Sequence, residues 1–226
     1  MKSSEFNEYK RRYGAAIRQV LSEAEPGRLD EIGFPAYSHA NPLIKWLFWK
    51  RLHTVMDHLE QDAPYERALD FGCGSGVMLP FLSTVCAAVV AADVDLMPLE
   101  RMKSHIPLAA NVQEWDAAGP TIAEARAGSF DLIVALDVLE HVKDLAWTLS
   151  QLMRLLRTGG QLIVSGPTEN ALYRFGRKLA GPEYSGEYHE RGVAEIRCTL
   201  GQQAKIRRIA TLYWPVPLFE IFAAIV

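Results

Sequence analysis

The 226-residue sequence contains only three cysteines, at positions 73, 86 and 198. They are odd in number and far apart, so they form neither a disulfide framework nor a pair with the short spacing of metal ligands. We therefore predict no disulfide and no metal site. Such a composition is typical of a protein in a reducing compartment, and the cytoplasm is the expected location.

The sequence also lacks long hydrophobic runs and an excess of charge of one sign. Its apolar stretches are far shorter than the roughly 20 residues that a transmembrane helix requires, and residues 1–13 are too polar for a signal peptide. Lys and Arg number 24 against 27 Asp and Glu, a formal net charge of −3. A nucleic-acid partner is not expected, because phosphate binding usually gives a basic excess.

Short apolar runs that alternate with helical segments dominate residues 65–167. Runs such as DLIVAL (131–136) are apolar almost throughout, which is typical of strands buried on both faces of a parallel sheet. Repeated strand–helix units with short connections indicate a doubly wound open sheet. The predicted strands are 68–71, 87–92, 106–112, 130–136 and 161–165, and the predicted helices are 77–84, 96–105, 121–127 and 144–156. Gly159 and Gly160 are predicted to end the last of these helices.

The segments before and after this core have a different character. Helices are predicted at 3–24 and 42–60, then a helix at 169–180, a loop at 181–188, a helix at 192–203 and strands at 205–214 and 218–226. The link between the last two strands is so short that they must run antiparallel. We therefore predict one α/β domain over residues 1–226, with a Rossmann-like, mostly parallel sheet and one reversed strand. It comprises an N-terminal helical cap (1–63), a core (64–167) and a C-terminal part (168–226).

The most informative segment is LDFGCGSG, residues 69–76, which follows a predicted strand and precedes a predicted helix. Its glycines allow the backbone to approach a ligand closely, at the edge of the sheet where open α/β folds bind ligands. The spacing G-x-G-x-G differs from the G-x-G-x-x-G of dinucleotide-binding proteins. Asp70 precedes the first glycine, and Asp93 ends the next strand, where a carboxylate can bind ribose hydroxyls.

Four blocks, in this order, resemble the class I S-adenosylmethionine (SAM)-dependent methyltransferase family. They are LDFGCGSG, VVAADVD, GSFDLIVALDVLEHVKD and LRTGGQLIVSGP, and they fall within residues 68–167. The Leu-Glu-His of residues 139–141 and the later Gly-Pro are most similar to the small-molecule and quinone O-methyltransferase branch. The resemblance implies an enzyme that binds SAM, methylates a small-molecule acceptor and releases S-adenosylhomocysteine (SAH).

The resemblance also implies which residues contact the cofactor. Asp70 would lie near the ammonium group of SAM, and Asp93 would bind its ribose. Leu136 and Asp137 would lie beside the transferable methyl group. Asp116 resembles part of the block that contacts adenine, although it could instead cap a helix. The full cofactor set is Asp70, Phe71, Gly72, Cys73, Gly74, Gly76, Asp93, Val94, Asp116, Ala117, Leu136 and Asp137.

Three further residues are candidates for the acceptor side of the site. His141 follows the predicted fourth strand, and a neutral imidazole is a natural base for a hydroxyl acceptor near neutral pH. The alternative for His141 is a helix-terminal histidine that binds backbone. Tyr37 and His189 are predicted to contact the acceptor, His189 from a loop that would cover it. Cys73 has no basic activator near it in sequence, so we interpret it as a small filler rather than a nucleophile.

The predicted helix at 42–59 carries an apolar arc wider than a single core-facing stripe requires, with Lys and Arg interspersed. Trp46 and Trp49 beside these cations suit a hydrophobic ligand or a membrane interface. The alternative is that the helix packs on the sheet and that its tryptophans belong to the core. The pattern favours a hydroxyl of a hydrophobic or lipid-linked acceptor, and peripheral membrane contact is a second interpretation of it.

Two other functions fit part of the pattern. A SAM-binding accessory or regulatory protein would bind SAM without turnover on any acceptor. A nucleotide-dependent oxidoreductase would also contain a glycine-rich turn, but the glycine spacing differs and Tyr173 is followed by Arg177 where such enzymes have a Tyr-x-x-x-Lys pair. Methyl transfer requires no covalent nucleophile, because alignment of the reactants and removal of the acceptor's proton suffice.

Overall fold

The structure, a computed structural model, describes residues 3–23, 34–39, 41–168, 192–213 and 217–226. The helix predicted at 169–180, the loop predicted at 181–188 and His189 lie outside these residues. No helix in the described part of the chain is both long enough and apolar enough to cross a membrane.

A seven-stranded, mostly parallel sheet with one reversed strand forms the centre of the molecule. Its strands are β1 (Tyr65–Phe71), β2 (Cys86–Asp93), β3 (Val112–Asp116), β4 (Phe130–Leu136), β5 (Leu156–Pro167), β6 (Lys205–Leu212) and β7 (Phe219–Ile225). They lie in the order β3-β2-β1-β4-β5-β7-β6, and β7 runs antiparallel to both of its neighbours. This confirms the predicted Rossmann-like architecture and the reversed strand near the C-terminus.

The central strands form because their side chains are apolar and meet a hydrophobic layer on each face. In β4, Leu132 and Val134 pack into one layer, whereas Ile133 and Ala135 pack into the other. Burial of a large aliphatic side chain of this kind stabilises the fold by roughly 1.5–3 kcal/mol. The sheet therefore holds the carboxyl ends of β2, β1 and β4 side by side.

The helices cover both faces of the sheet. They are α1 (Ser3–Glu23), α2 (Phe34–Ser38), α3 (Pro42–Asp62), α4 (Leu79–Val85), α5 (Met97–Lys103), α6 (Thr121–Glu124), α7 (Leu145–Leu155) and α8 (Val193–Leu200), with a 3₁₀ turn at Leu139–His141. The first five contribute to one hydrophobic layer and the last three to the other. Helix α3 begins after Asn41, whose side-chain oxygen accepts from the Leu43 N–H at 2.9 Å, as an N-cap should.

The strand predicted at 106–112 is wrong, because β3 begins only at Val112. Pro107 has no N–H to donate to a sheet. The Asn111 side chain donates to the carbonyls of Ser83 and Cys86 at 3.1 and 3.0 Å, which holds this segment as a connection. The true strand lies at the edge of the sheet and is only partly buried, so it lacks the continuous apolar run of a central strand.

The prediction that Gly159 and Gly160 end a helix is also wrong. Helix α7 ends at Leu155, and β5 begins directly after it. Gly159 has φ 78° and lies where the pairing of β4 with β5 changes register. Its N–H donates to the Val226 carbonyl at 3.0 Å. The glycines therefore accommodate an irregularity inside β5, for which the left-handed backbone of Gly159 is required.

The N-terminal helices pack against the glycine-rich turn that follows β1. From α1, the Tyr9 hydroxyl donates to the Val77 carbonyl, and the Tyr13 hydroxyl donates to the Ser75 carbonyl at 2.5 Å. These bonds attach the first helix to the segment that the sequence marks as the cofactor site.

Helix α3 is buried in its middle and exposed near its beginning. Trp49 is almost fully buried, so its assignment to the core is confirmed. Leu43 and Trp46, in contrast, are 59% and 47% exposed. The middle of α3 thus packs into the hydrophobic layer on one face of the sheet. Two large apolar side chains near its beginning lie on the surface.

Candidate active site

The turn after β1 depends on three glycines with left-handed backbone. Gly72, Gly74 and Gly76 have φ angles of 74°, 51° and 78°, which residues with a Cβ rarely adopt. The turn lies against the end of β2, because the N–H groups of Gly72 and Cys73 both donate to the Ala92 carbonyl at 2.8 and 3.1 Å. Helix α4 begins at Leu79, two residues later than predicted.

The three glycines differ in what surrounds them. A Cβ on Gly72 would lie 2.3 Å from Cγ2 of Val138, and one on Gly76 would lie 2.6 Å from Cδ1 of Leu99. A Cβ on Gly74 would meet nothing within 4 Å. Gly72 and Gly76 are therefore required by packing, whereas Gly74 borders open space in which a ligand can approach the backbone.

Asp93, at the end of β2, organises this turn. Its Oδ2 accepts from the Gly74 N–H at 2.8 Å, and its Oδ1 accepts from the Asp95 N–H at 3.1 Å. Each carboxylate oxygen has lone pairs left for a further donor. The sequence identified Asp93 as a candidate, but its bond to the turn was not predicted.

Asp70 is a buried carboxyl group at the end of β1, 4% exposed. Burial, and secondarily the nearby negative charge of Asp93, raises the pKa of Asp70 to about 7. No cation in the described part of the chain offsets this effect on the pKa of Asp70. A positively charged ligand group that binds beside Asp70 would supply one.

The remaining predicted contacts around β2 and β3 are more exposed. Val94 is 70% exposed. Asp116 is also exposed, and its Oδ1 accepts from the Ala118 N–H at 2.8 Å, while the Ala117 N–H donates to the Asp93 carbonyl at 2.9 Å. Asp116 thus closes a tight local turn, and it does not cap α6, which begins after Pro120.

Cys73 and Phe71 flank the first glycine. The Cys73 thiol is buried, and burial followed by the charge of Asp70 raises its pKa strongly. A thiol of this kind is not a nucleophile near neutral pH, which agrees with its interpretation as a filler. Phe71 is half-buried and packs into the layer on the other face of the sheet.

The end of β4 brings a second charged cluster to the same edge of the sheet. Asp137 follows Leu136 and has φ 54°, a strained value for a residue other than glycine. Its N–H donates to the Ser165 carbonyl at 3.0 Å, and the Ser165 hydroxyl donates to its Oδ1 at 3.3 Å. The other carboxylate oxygen of Asp137 pairs with the guanidinium of Arg51 from α3.

Arg51 belongs to this cluster and is not among the residues predicted from the sequence. It is only 1% exposed, and Nη2 donates to the Tyr37 hydroxyl at 3.1 Å. The available signal was its place among the buried positions of α3, where it lies between Trp49 and Leu52. An arginine in an amphipathic helix ordinarily lies on the solvated face, so the sequence pattern alone does not indicate its burial.

His141 and Tyr37, two of the predicted acceptor-side residues, occupy different environments. Tyr37 is buried at Arg51. His141 ends the 3₁₀ turn after β4 and is exposed, and its backbone N–H donates to the Val138 carbonyl at 3.0 Å. Tyr37 therefore belongs to the cluster at the end of β4 through its hydrogen bond with Arg51. His141 lies on the surface of the protein.

A concavity of about 480 Å³ lies away from this cluster, near the amino ends of β1 and β4. Arg67, Trp115, Arg126 and Ser129 contribute to its lining. It contains none of the predicted site residues, so we place the candidate site at the glycine turn and the carboxyl end of β4.

Comparison with known proteins identifies the family. The methyltransferase domain family matches residues 8–217, nearly the whole chain. The chain belongs to the methyltransferase domain family. This confirms the resemblance that the four sequence blocks indicate.

Two curated relatives are similar to this methyltransferase-family chain. The ubiquinone biosynthesis O-methyltransferase of Aromatoleum aromaticum is 30% identical over 144 residues, which cover 60% of this chain and 61% of the relative. The enzyme of the same name from Hahella chejuensis is 30% identical over 154 residues, which cover 65% of this chain and 64% of the relative. The matched segment therefore spans somewhat under two thirds of the length of these relatives.

A solved structure shares the fold. The N-methyltransferase NodS from Bradyrhizobium japonicum WM9, in complex with SAH, superposes with a TM-score of 0.62 at 18% identity. The superposition covers 94% of this chain and 98% of NodS. At this identity the likeness supports the Rossmann-like methyltransferase fold and no detail of substrate.

Proposed function

We propose that this chain is an enzyme that transfers a methyl group from SAM to a small-molecule acceptor. The observation that carries the proposal is the open space beside Gly74, whose N–H is held by Asp93, in a turn that follows the buried Asp70. Such a site suits a ligand with a cationic end and hydroxyl groups. Family membership over residues 8–217 supports SAM as that ligand.

Within this proposal, each part of the site has a role. Asp70 would neutralise the ammonium group of SAM, and the free lone pairs of Asp93 would accept from its ribose hydroxyls. The edge formed by Asp116 and Ala117 would border the adenine. Bound SAM would supply an electrophilic methyl group attached to sulfur. Leu136 and Asp137 would lie beside that methyl group, where the acceptor must be aligned with it, and alignment of this kind contributes much of the rate enhancement.

We further propose that the acceptor is a hydroxyl compound with a hydrophobic or lipid-linked body. The support is the exposed pair Leu43 and Trp46 on α3, with Lys10 of α1 close enough to Lys45 for the two charges to interact. Apolar side chains beside cations suit an anionic membrane surface that carries such an acceptor. The helices of residues 1–63 and the segment 168–226 would then form the acceptor side of one methyltransferase domain.

A turnover assay with a panel of acceptors tests this function. Methyl-labelled SAM is incubated with the protein and with hydroxyl compounds that range from small polar molecules to isoprenoid-substituted ones, with and without anionic vesicles. We expect transfer to the hydrophobic acceptors and co-sedimentation with the vesicles, reduced by Trp46→Ser. Turnover only on small polar acceptors without vesicle binding contradicts the acceptor proposal. Tight SAM binding without turnover on any acceptor favours an accessory protein instead.

His141 is the proposed base that removes the acceptor's proton, because it follows Asp137 closely at the carboxyl end of β4. We expect His141→Gln to lower turnover by roughly 10²–10⁴-fold, the range for loss of a general base, and to remove the rise of activity with pH near neutrality. Calorimetric titration should show unchanged affinity for SAH. An unchanged turnover number would assign His141 a structural role.

A further inference from the structure

Arg51 combines complete burial with an unsatisfied hydrogen-bond donor. Its Nη1 pairs with the Asp137 carboxylate, and its Nη2 donates to the Tyr37 hydroxyl at 3.1 Å. Its Nε is buried and has no hydrogen-bond partner among the described residues. A buried charged group whose donors are not all satisfied is costly to the fold. This donor therefore points to a ligand that completes the arrangement.

The surroundings of Arg51 restrict what that ligand can be. The guanidinium lies over the rings of Phe48 and Phe219, with 4.9 and 5.4 Å from its central carbon to the ring centroids. The two rings also contact each other, with their centroids 5.6 Å apart, so they form one aromatic surface beside the cation, whose N–H groups point outward along its edge. Arg recognises oxyanions through these groups. A flat molecule with an anionic or hydroxyl oxygen fits both the rings and the donors.

The position of Arg51 in the fold favours the acceptor over the cofactor as the source of this oxygen. The proposed ligands of the ammonium group and ribose, Asp70 and Asp93, lie on β1 and β2. Asp137, which pairs with Arg51, is the predicted contact beside the transferable methyl group. Phe219 lies on β7, beyond β4 and β5 in the order of the sheet. Within the proposed function, Arg51 would then lie with Asp137 between the cofactor and the acceptor.

Backbone strain next to α3 supports a functional role for this cluster. Asp137 and Tyr213 are the two residues other than glycine with positive φ, 54° and 71°, in the described part of the chain. Both residues contact α3. The Tyr213 hydroxyl donates to the Leu47 carbonyl at 3.2 Å. Asp137 pairs with Arg51, which lies one helical turn after Leu47. Strained residues of this kind concentrate at binding and catalytic sites.

Tyr37 shows that the cluster accepts a phenol oxygen. Its hydroxyl is buried against Arg51, and although burial raises the pKa of Tyr37, the charge of Arg51 and its hydrogen bond act in the opposite direction. The hydroxyl oxygen of a flat acceptor in the same position would accept the same hydrogen bond from Nη2 of Arg51. Tyr37 satisfies a donor that the acceptor oxygen would otherwise use.

We propose that Arg51 binds the acceptor's reacting oxygen and stabilises its deprotonated form, and that Tyr37 occupies this position until the acceptor displaces it. The inference rests on the proposed methyl transfer. In that step the acceptor O–H bond breaks and its proton passes to the proposed base, His141. The electron pair of the oxygen forms the bond to the methyl carbon, while the pair of the C–S bond stays on sulfur.

The ionisation of 4-nitrophenol, a flat hydroxyl probe whose phenolate absorbs visible light, tests this inference. The wild-type protein saturated with SAH should lower the apparent pKa of the bound probe by about one unit, equivalent to a tenfold preference for the anion. Arg51→Met should abolish this shift, and Arg51→Lys should retain part of it. Tyr37→Phe should keep the shift and bind the probe more tightly, because no hydroxyl competes for Arg51.

SAH affinity, measured by calorimetry on each variant, provides the control. It should stay within about threefold of wild type in Arg51→Met, well under the tenfold that 1.4 kcal/mol represents. A tenfold loss would assign Arg51 to the cofactor's carboxylate and overturn the inference. The inference would also be overturned if the wild type did not lower the pKa of the bound probe, or if Arg51→Met lowered it as much as the wild type does. If wild type does not bind SAH at all, the proposed function itself fails. Tyr37→Phe keeps the test informative if Arg51→Met does not fold.

Discussion

Asp70→Asn is expected to stabilise the unliganded protein above pH 7 and to remove high-affinity SAM binding. In the unfolded chain Asp70 ionises with its ordinary pKa of 3.8, whereas burial and Asp93 raise it to about 7 in the folded protein. Between the two pKa values, the folded state therefore holds a proton on Asp70 that the unfolded state has lost. The contribution of Asp70 to stability is complete below pH 4 and is lost as pH rises through 7. The neutral amide of Asp70→Asn avoids this loss in the free energy of unfolding, which is roughly 2–4 kcal/mol.

Urea unfolding of the two proteins between pH 4 and 8 measures this effect. The free energies of unfolding should diverge as pH rises, with the asparagine variant the more stable at the alkaline end. Calorimetry should show SAM affinity reduced by about ten- to a hundredfold, as expected for loss of a charged hydrogen bond. Asp116→Asn, at an exposed carboxylate, is the control for the loss of one negative charge. Parallel pH profiles for wild type and Asp70→Asn would refute the assigned role of burial.

Gly72→Ala and Gly74→Ala are expected to separate folding from binding within a single turn. At Gly72 the new methyl would collide with Val138, and φ is 74°. Strain and overpacking together should destabilise the protein by about 2–4 kcal/mol. At Gly74 the methyl meets open space at φ 51°, so only the backbone strain of roughly 1–2 kcal/mol should appear. That methyl would, however, occupy the space assigned to SAM.

Thermal unfolding and SAH titration of both variants test this contrast. Gly72→Ala should unfold at a clearly lower temperature than Gly74→Ala. Gly74→Ala should remain folded and lose SAH affinity by tenfold or more, since contact with the ligand requires the bare backbone. Gly14→Ala, in the middle of α1 with no close neighbour except a flexible arginine, is the matched control for a glycine unconnected with the turn. Normal SAH affinity in Gly74→Ala would show that the open space beside Gly74 is not part of the cofactor site.

The parts of the fold that were predictable are those in which one physical requirement determines the sequence. β4 is buried on both faces, so its residues are apolar throughout and its bounds were predicted correctly. The short link between β6 and β7 left no arrangement except an antiparallel pair. β3 was misplaced because an edge strand is only partly buried, and partial burial does not impose a continuous apolar run.

The part of the candidate site that the sequence indicates lies within one strand–turn–helix–strand unit, whose ends the structure brings together. The glycine turn and Asp70 are identifiable from LDFGCGSG alone, and Asp93 from its place one strand later. Position 72, however, requires glycine because the Val138 side chain, just after β4, fills the space that a Cβ would occupy. Arg51 pairs with Asp137 from a helix 86 positions earlier, and nothing in the spacing of either residue indicates that contact. Such contacts follow from the packing of α3 on the sheet edge.

The most direct test of the central claim is calorimetric titration of the wild-type protein and of Asp93→Ala with SAH and with NADH. We predict that wild type binds one SAH per chain and does not bind NADH. Asp93→Ala should weaken SAH binding by about ten- to a hundredfold. Asp93→Asn, which keeps one acceptor oxygen for the Gly74 N–H, should preserve the turn and lose part of that affinity. NADH binding by wild type, or an SAH affinity unchanged in folded Asp93→Ala, would contradict the assignment of this turn as a SAM site.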